Sequence, residues 1–154
     1  MYYNKSIIYG NFFEFHKKYY VTNKLILKSL PNYFISFLNQ FIAERTNKRN
    51  DRWGGSYENR IRLPIEVVRQ VRAAVGEAFI IIFRLSMLDL VEGGSTAKEG
   101  IQLGKAVEKA GATIISTGIG WHEAKIPTIA TKVPRAAFTW VTAKFRDEFA
   151  IPVV

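Results

Sequence analysis

The chain has 154 residues, 48% of them hydrophobic and 23% charged, a composition that supports one folded core and excludes a disordered polymer. It contains no cysteine, which rules out a disulfide framework, a thiolate nucleophile and any Cys-ligated zinc or iron–sulfur cluster within it. The formal charge of +9 would suit nucleic acid or an anionic membrane surface, but the basic residues lie in a leader or among acids and turn formers, which reads as solvated surface and no specific nucleic-acid site.

No run approaches the roughly 18 consecutive apolar residues of a membrane span. The first residues also lack the charged, apolar, then small-residue order of a secretory signal, so a cytoplasmic location is expected. Residues 1–41 hold twelve of the 21 aromatics, five lysines and a single acid, Glu14. This divergent aromatic and basic leader contains two apolar stretches, Ser6–Tyr9 and Leu25–Leu30, that suit short strands or a helix. Partial helix is expected there, and residues 42–154 are read as the regular unit.

The run from Asn47 to Ser56 is dense in loop formers. A helix should follow, because Ile65, Val68, Val71 and Val75 recur at helical spacing, with Pro64 near its start and Gly76 at its end. Phe79–Phe83 is a continuous β-branched and aromatic run, as expected of a parallel strand covered on both faces. Thr96 and Glu99 form a capping-box pattern. Leu103, Ala106, Val107 and Ala110 then make one helical face that closes at Gly111. Ala112–Thr117 reads as a strand, Ala136–Phe149 as a helix, and Ile151–Val154 as the start of another strand. Strands alternating with helices imply right-handed crossovers and a parallel sheet, either doubly wound or closed into a barrel.

Two side chains could carry chemistry. Arg84 follows the Phe79–Phe83 run and should lie near the carboxyl end of a buried strand, where an unpaired guanidinium would cost several kcal/mol. Its partner is either a structural carboxylate, Asp89 or Glu92, or a ligand anion. His122 follows the next strand and should approach the same rim, where loops of a parallel barrel assemble their sites; a structural or surface histidine is the plainer alternative. Gly118-Ile119-Gly120 lacks the third glycine of a dinucleotide fingerprint, and Gly93-Gly94 more simply makes a turn. With His16 and His122 the only histidines, no metal-ligand spacing is present.

The residues Asn47, Arg49, Asp51, Trp53-Gly54-Gly55-Ser56, Asn59-Arg60 and Arg62 together resemble the signature of the Old Yellow Enzyme family (NADH:flavin oxidoreductases), FMN-dependent (β/α)8 barrels. The segments Ile80–Glu92 and Thr117–Thr128 are more narrowly similar to bacterial NADPH-dependent 2,4-dienoyl-CoA reductases. The resemblance covers about residues 38–154. It implies that Arg84 contacts the flavin and that His122 assists a tyrosine which protonates the substrate after hydride delivery. Aligning Asn39-Gln40-Phe41 places Ser36 where that tyrosine is expected, and using Tyr33 instead would require a shifted register.

A complete (β/α)8 barrel needs roughly 250 residues. The expectation is therefore an α/β fold, a partial TIM barrel of about three βα units preceded by a non-homologous N-terminal leader. The family's phosphate loops, cluster cysteines and nucleotide-binding region would lie beyond Val154. In the intact family, FMN and NADPH are the cofactors and an unsaturated acyl-CoA is the substrate; this chain is expected to be inactive alone and to self-associate through open sheet edges. The alternative is a non-catalytic remnant, or an interaction module with a basic aromatic leader.

Overall fold

A computed structural model of the protein describes residues 32–121, 124, 125, 128 and 130–154, with side chains from Phe37 onward. The expected stretches Ser6–Tyr9 and Leu25–Leu30, and most of the leader, lie outside the described residues. Helix α1 (Asn32–Ile42) runs across the change of composition at residues 41–42. It places Leu38 and Ile42 in the core.

After α1 the loop-forming run is locked by its own side chains. The buried Asn47 amide donates to the Phe41 carbonyl (2.6 Å) and the Trp53 carbonyl (2.7 Å), while its oxygen accepts from the Arg49 amide. Asp51 accepts from the Trp53 amide (3.0 Å) and pairs with the Arg49 guanidinium. A Cβ on Gly54 would overlap the Arg49 backbone, so only glycine allows this close approach. The one-turn helix α2 (Tyr57–Arg60) then starts at the Ser56 cap.

Helix α3 (Arg62–Val75) carries Pro64 in its first turn, where a missing N–H costs no internal hydrogen bond. It ends as expected at Gly76, whose φ of 76° suits glycine and whose N–H returns to the Arg72 carbonyl. Strand β1 (Ile82–Leu88) leads to α4 (Ala97–Lys109), which starts on the expected capping box: the Thr96 hydroxyl accepts from the Glu99 amide and the Glu99 carboxylate accepts from the Thr96 amide. Strand β2 (Ile114–Ile119) and helix α5 (Thr139–Arg146) follow.

β1 and β2 pair in parallel from Ile82↔Ile114 to Leu88↔Ile119, with an irregularity between Ser86 and Leu88. On the far side of β2 the predicted third strand begins: Ile115 bridges Val153 in parallel, and the Thr117 amide donates to the Val154 carbonyl at 2.7 Å. Phe83, Leu85 and Met87 point into one core with residues of all the longer helices, among them Val68, Leu103, Val107, Val141 and Phe145.

Two elements differ from the sequence reading. The strand predicted at Phe79–Phe83 lies at Ile82–Leu88, so Arg84 is its third residue and does not stand at its carboxyl end. It is also covered on one face only: Phe83, Leu85 and Met87 are buried, whereas Ile80 and Ile82 are 56% and 49% exposed and Arg84 is exposed. The start is set by β2, because the Ile81 carbonyl already accepts from both the Thr113 and Ile114 amides where that strand begins. The helix predicted over Ala136–Phe149 is shorter; Ala136 adopts φ 61° and its carbonyl accepts from the Thr139 hydroxyl, which places a turn ahead of α5.

Arg60 ties these pieces together. Only 8% exposed, it donates from Nε to the Ile42 carbonyl (2.8 Å), from Nη1 to the Gly55 carbonyl (2.7 Å) and from Nη2 to Glu99 Oε1 (3.0 Å). Its guanidinium lies 5.2 Å from the centre of the Tyr57 ring, and the Tyr57 hydroxyl donates to the Glu99 carbonyl at 2.5 Å. Burial, reinforced by the Glu99 charge, pushes the Tyr57 hydroxyl above its ordinary range and keeps it a donor. Breaking a buried pair costs about 3–5 kcal/mol. Arg60→Met is therefore expected to lower stability by about 3 kcal/mol, measured by urea denaturation, and Arg60→Lys should recover little of it because the compact ammonium cannot span acceptors spread around Nε, Nη1 and Nη2.

Candidate functional site

Of the two side chains singled out, Arg84 is placed and His122 lies outside the described residues. Arg84 sits opposite Ser116 on the helix-free face of the sheet. Gly118 on β2 lies beside it, and a Cβ there would meet Arg84 Nε only at ordinary contact, 3.7 Å. The structural ion pair expected with Asp89 or Glu92 is absent: among the described residues the guanidinium has no hydrogen-bond or salt-bridge partner, and its exposure makes that state inexpensive.

Asp89 has another task. It is 3% exposed, and its two oxygens accept from the Ser86 hydroxyl (2.5 Å) and the Ser95 amide (2.6 Å). The carboxylate thus ties the end of β1 to the residues just before the α4 cap. Gly94 leaves it room, because a Cβ there would lie 2.7 Å from Asp89 Cβ. The Asp89 carbonyl accepts from the Trp121 amide (3.1 Å) and the Leu88 carbonyl from the Gly120 amide (2.6 Å). The exits of both strands are therefore held side by side, and the chain is carried to Trp121, the residue before His122, at the rim shared with β1.

A pocket of about 10 Å³ lies under this rim, lined by Asn39, Arg84, Ser86, Asp89, Ser95 and Trp121 among others. That is the space of about one water, so the pocket itself holds no organic substrate. The buried Trp121 Nε1–H has no hydrogen-bond partner among the described residues. Among the described residues, the helix-free face thus offers a cation without a partner, Arg84, and the rim an unmatched donor, Trp121, which together suit an electron-rich ligand. No group of three or more His, Cys, Asp or Glu suited to a metal occurs among the described residues. None of the described helices is long and apolar enough to cross a membrane.

The sequence reading passed over Asp89 as an organising residue and Trp121 as a donor. For Asp89 a signal existed: an acid immediately after a strand, six residues before a serine that precedes a capped helix, has backbone amides within reach. For Trp121 there was none, since burial of one indole nitrogen has no sequence pattern.

A family model described as the NADH:flavin oxidoreductase / NADH oxidase family matches residues 34–152. The chain is 44% identical over 92 residues to an NADH oxidase of Thermoanaerobacter brockii, covering 60% of this chain and 14% of that protein. It is 37% identical over 117 residues to a metal reductase of Desulforamulus reducens, covering 76% of this chain and 18% of that protein. The chain thus spans less than a fifth of either relative's length. Among solved structures it is similar to a 2-naphthoyl-CoA reductase in complex with 2-naphthoyl-CoA, with a TM-score of 0.72 and 33% identity over 75% of this chain and 18% of that one. A histamine dehydrogenase from Rhizobium sp. 4-9 matches with a TM-score of 0.60 and 27% identity, over 75% of this chain and 17% of its own.

The contrast between Arg84 and Asp89 is testable. Arg84→Ala removes an exposed side chain without a described partner and should change unfolding free energy by no more than about 0.5 kcal/mol. Asp89→Ala orphans the Ser95 amide and the Ser86 hydroxyl and should cost about 2–4 kcal/mol, at about 1–3 kcal/mol for each unsatisfied buried donor. Chemical denaturation of the two variants in parallel checks both.

Proposed function

The chain belongs to the NADH:flavin oxidoreductase / NADH oxidase family, and from that membership we propose that it carries part of the flavin-binding wall of an FMN-dependent ene-reductase barrel. The observation that supports this most is Arg84, a guanidinium without a described partner on the open face of a parallel strand. FMN, when bound, supplies hydride transfer, in this reading from NADPH to an unsaturated acyl-CoA of the kind that 2,4-dienoyl-CoA reductases take. Similarity to a reductase solved with an acyl-CoA supports the substrate class.

Arg84 fits such a group because a fixed positive charge beside the ring favours its anionic reduced form, and no described carboxylate competes for the guanidinium. His122 is assigned to the proton-delivery side, where hydride addition to a conjugated carbon must be followed by protonation. The weak point is Ser36, which lies within α1 at the position aligned with the family's tyrosine. A phenol with a pKa of about 10 donates a proton far more readily than a serine hydroxyl. The reaction is assigned to the cytoplasm, as the sequence reading has it.

Ser36 is also the observation that favours a second reading, a remnant that keeps Arg84 and His122 without turnover. Affinity points the same way. A charge-assisted hydrogen bond contributes about 1.5–3 kcal/mol, whereas a Kd of about 1 μM requires about 8 kcal/mol, so Arg84 alone cannot retain the cofactor. The 154-residue polypeptide should therefore purify without stoichiometric FMN, as read from its visible absorbance. It should also show negligible NADPH oxidation when FMN and an unsaturated acyl-CoA are added. A yellow protein whose substrate-dependent turnover is lost in His122→Ala would overturn the inactive reading and leave the family assignment intact.

A further inference from the structure

Residues 124–146, which lead out of β2 and through α5, hold five cations, Lys125, Lys132, Arg135, Lys144 and Arg146, and no acid. Among the described residues only Arg146 has a carboxylate partner, its neighbour Asp147, and the next acid, Glu148, is taken by Lys105. Lys132, Arg135 and Lys144 are exposed. Between them in the chain stands Trp140, 56% exposed, whose ring has no aromatic or cationic neighbour among the described residues. An exposed indole within a run of unpaired cations is a surface for a ligand that is both aromatic and anionic.

The fold holds this cluster at the carboxyl end of the sheet. β2 ends at Ile119, and Val153 returns beside Ile115, near the start of β2, so α5 runs from the carboxyl end back to the amino end. Trp140, the second residue of α5, therefore lies at the end where Asp89 and Trp121 stand. Turns fix the approach to it. The Ala137 amide donates to the Pro134 carbonyl (3.2 Å), and the Thr139 amide and hydroxyl both donate to the Ala136 carbonyl (3.1 and 3.0 Å). Ala136, at φ 61°, occupies left-handed backbone that favours glycine. Strain of this kind clusters where ligands are held, and here it sits between Arg135 and the start of α5. Lys144 follows Trp140 by four residues, which puts the two on one face of the helix.

We propose that Trp140, Arg135 and Lys144 bind a phosphorylated adenosine nucleotide, with the base stacked on the indole and the phosphates met by the two cations. This rests on the reading of the chain as part of a reductase that takes NADPH and an acyl-CoA. Both compounds carry an adenosine diphosphate with a further phosphate on the ribose. In coenzyme A a flexible arm separates the nucleotide from the thioester, so the nucleotide need not share the sheet face of Arg84. An anionic membrane is the weaker occupant. Val141 and Phe145, the other large apolar side chains of α5, are buried, which leaves Trp140 alone to enter a bilayer.

Calorimetric titration of the full chain with coenzyme A, with NADP+ and with pantetheine, which lacks the nucleotide, tests the site. Coenzyme A or NADP+ should bind and pantetheine should not, and the tighter of the two names the source, substrate or hydride donor. Trp140→Ala should weaken binding about tenfold, the effect of one lost stacking contact. Lys144→Glu should also weaken it and should flatten its dependence on salt. Both side chains are exposed, so neither change should move the unfolding midpoint. No binding of either nucleotide, equal binding of pantetheine, an affinity that Trp140→Ala leaves unchanged, or association with phosphatidylserine vesicles in place of the nucleotides would each overturn the assignment. The titration needs neither FMN nor turnover, so a chain without reductase activity can still satisfy it. A chain that reduces an unsaturated acyl-CoA, and whose nucleotide affinity Trp140→Ala leaves unchanged, overturns this site alone.

Discussion

One buried guanidinium holds three separate pieces of backbone in place. Arg60 bonds at once to the end of α1, to the loop before α2 and, through Glu99, to the start of α4. Glu99 is shared, because its other oxygen accepts from Thr96 in the cap of α4. The cation could not be buried without these acceptors, since an unpaired charge at such a depth costs several kcal/mol. The helix layer is consequently fixed before any contact with the sheet is counted. Replacing any one partner leaves a charged group wanting, which couples segments as far apart as Ile42 and Glu99.

With the helices fixed on one side, β1 is forced to alternate. Phe83, Leu85 and Met87 fill the core, and Gly104 lets α4 approach, since a Cβ there would overlap the Phe149 ring and press on Leu85. Every other residue of the strand is left for the helix-free face, and that is what makes Arg84 available. A cation inside the covered face would have been consumed in a structural pair, as Arg60 is. The two arginines thus differ by place: Arg60, on α2, is spent on architecture, and Arg84, on the helix-free face of β1, has no partner among the described residues.

Much of the fold was legible because its signals are local. The Thr96–Glu99 box, Gly76, Pro64 and the spacing of Leu103 and Val107 each act within a turn or two of helix, and each stands where the pattern put it. The strand was misplaced by three residues because a run such as Phe79-Ile80-Ile81-Ile82-Phe83 has no internal phase. Its start is decided by pairing with Ile114, some thirty residues away in the chain, and its coverage by helices that periodicity does not locate. The same gap hid the site's organisation. Arg84 was found by type and position, but that Asp89 is buried on Ser86 and Ser95 while Arg84 lies exposed on the helix-free face is decided in three dimensions.

The residues that identify the family and the residues assigned to its chemistry are different sets, and this separation bears on activity. Asn47, Asp51, Gly54, Asn59, Arg60 and Arg62 are all engaged in holding the loop and the first helices: the Arg62 guanidinium alone bonds the Arg52 carbonyl and the Asn59 side chain. None of these contacts involves Arg84. The family match across residues 34–152 therefore takes in a set of residues whose contacts hold the fold together.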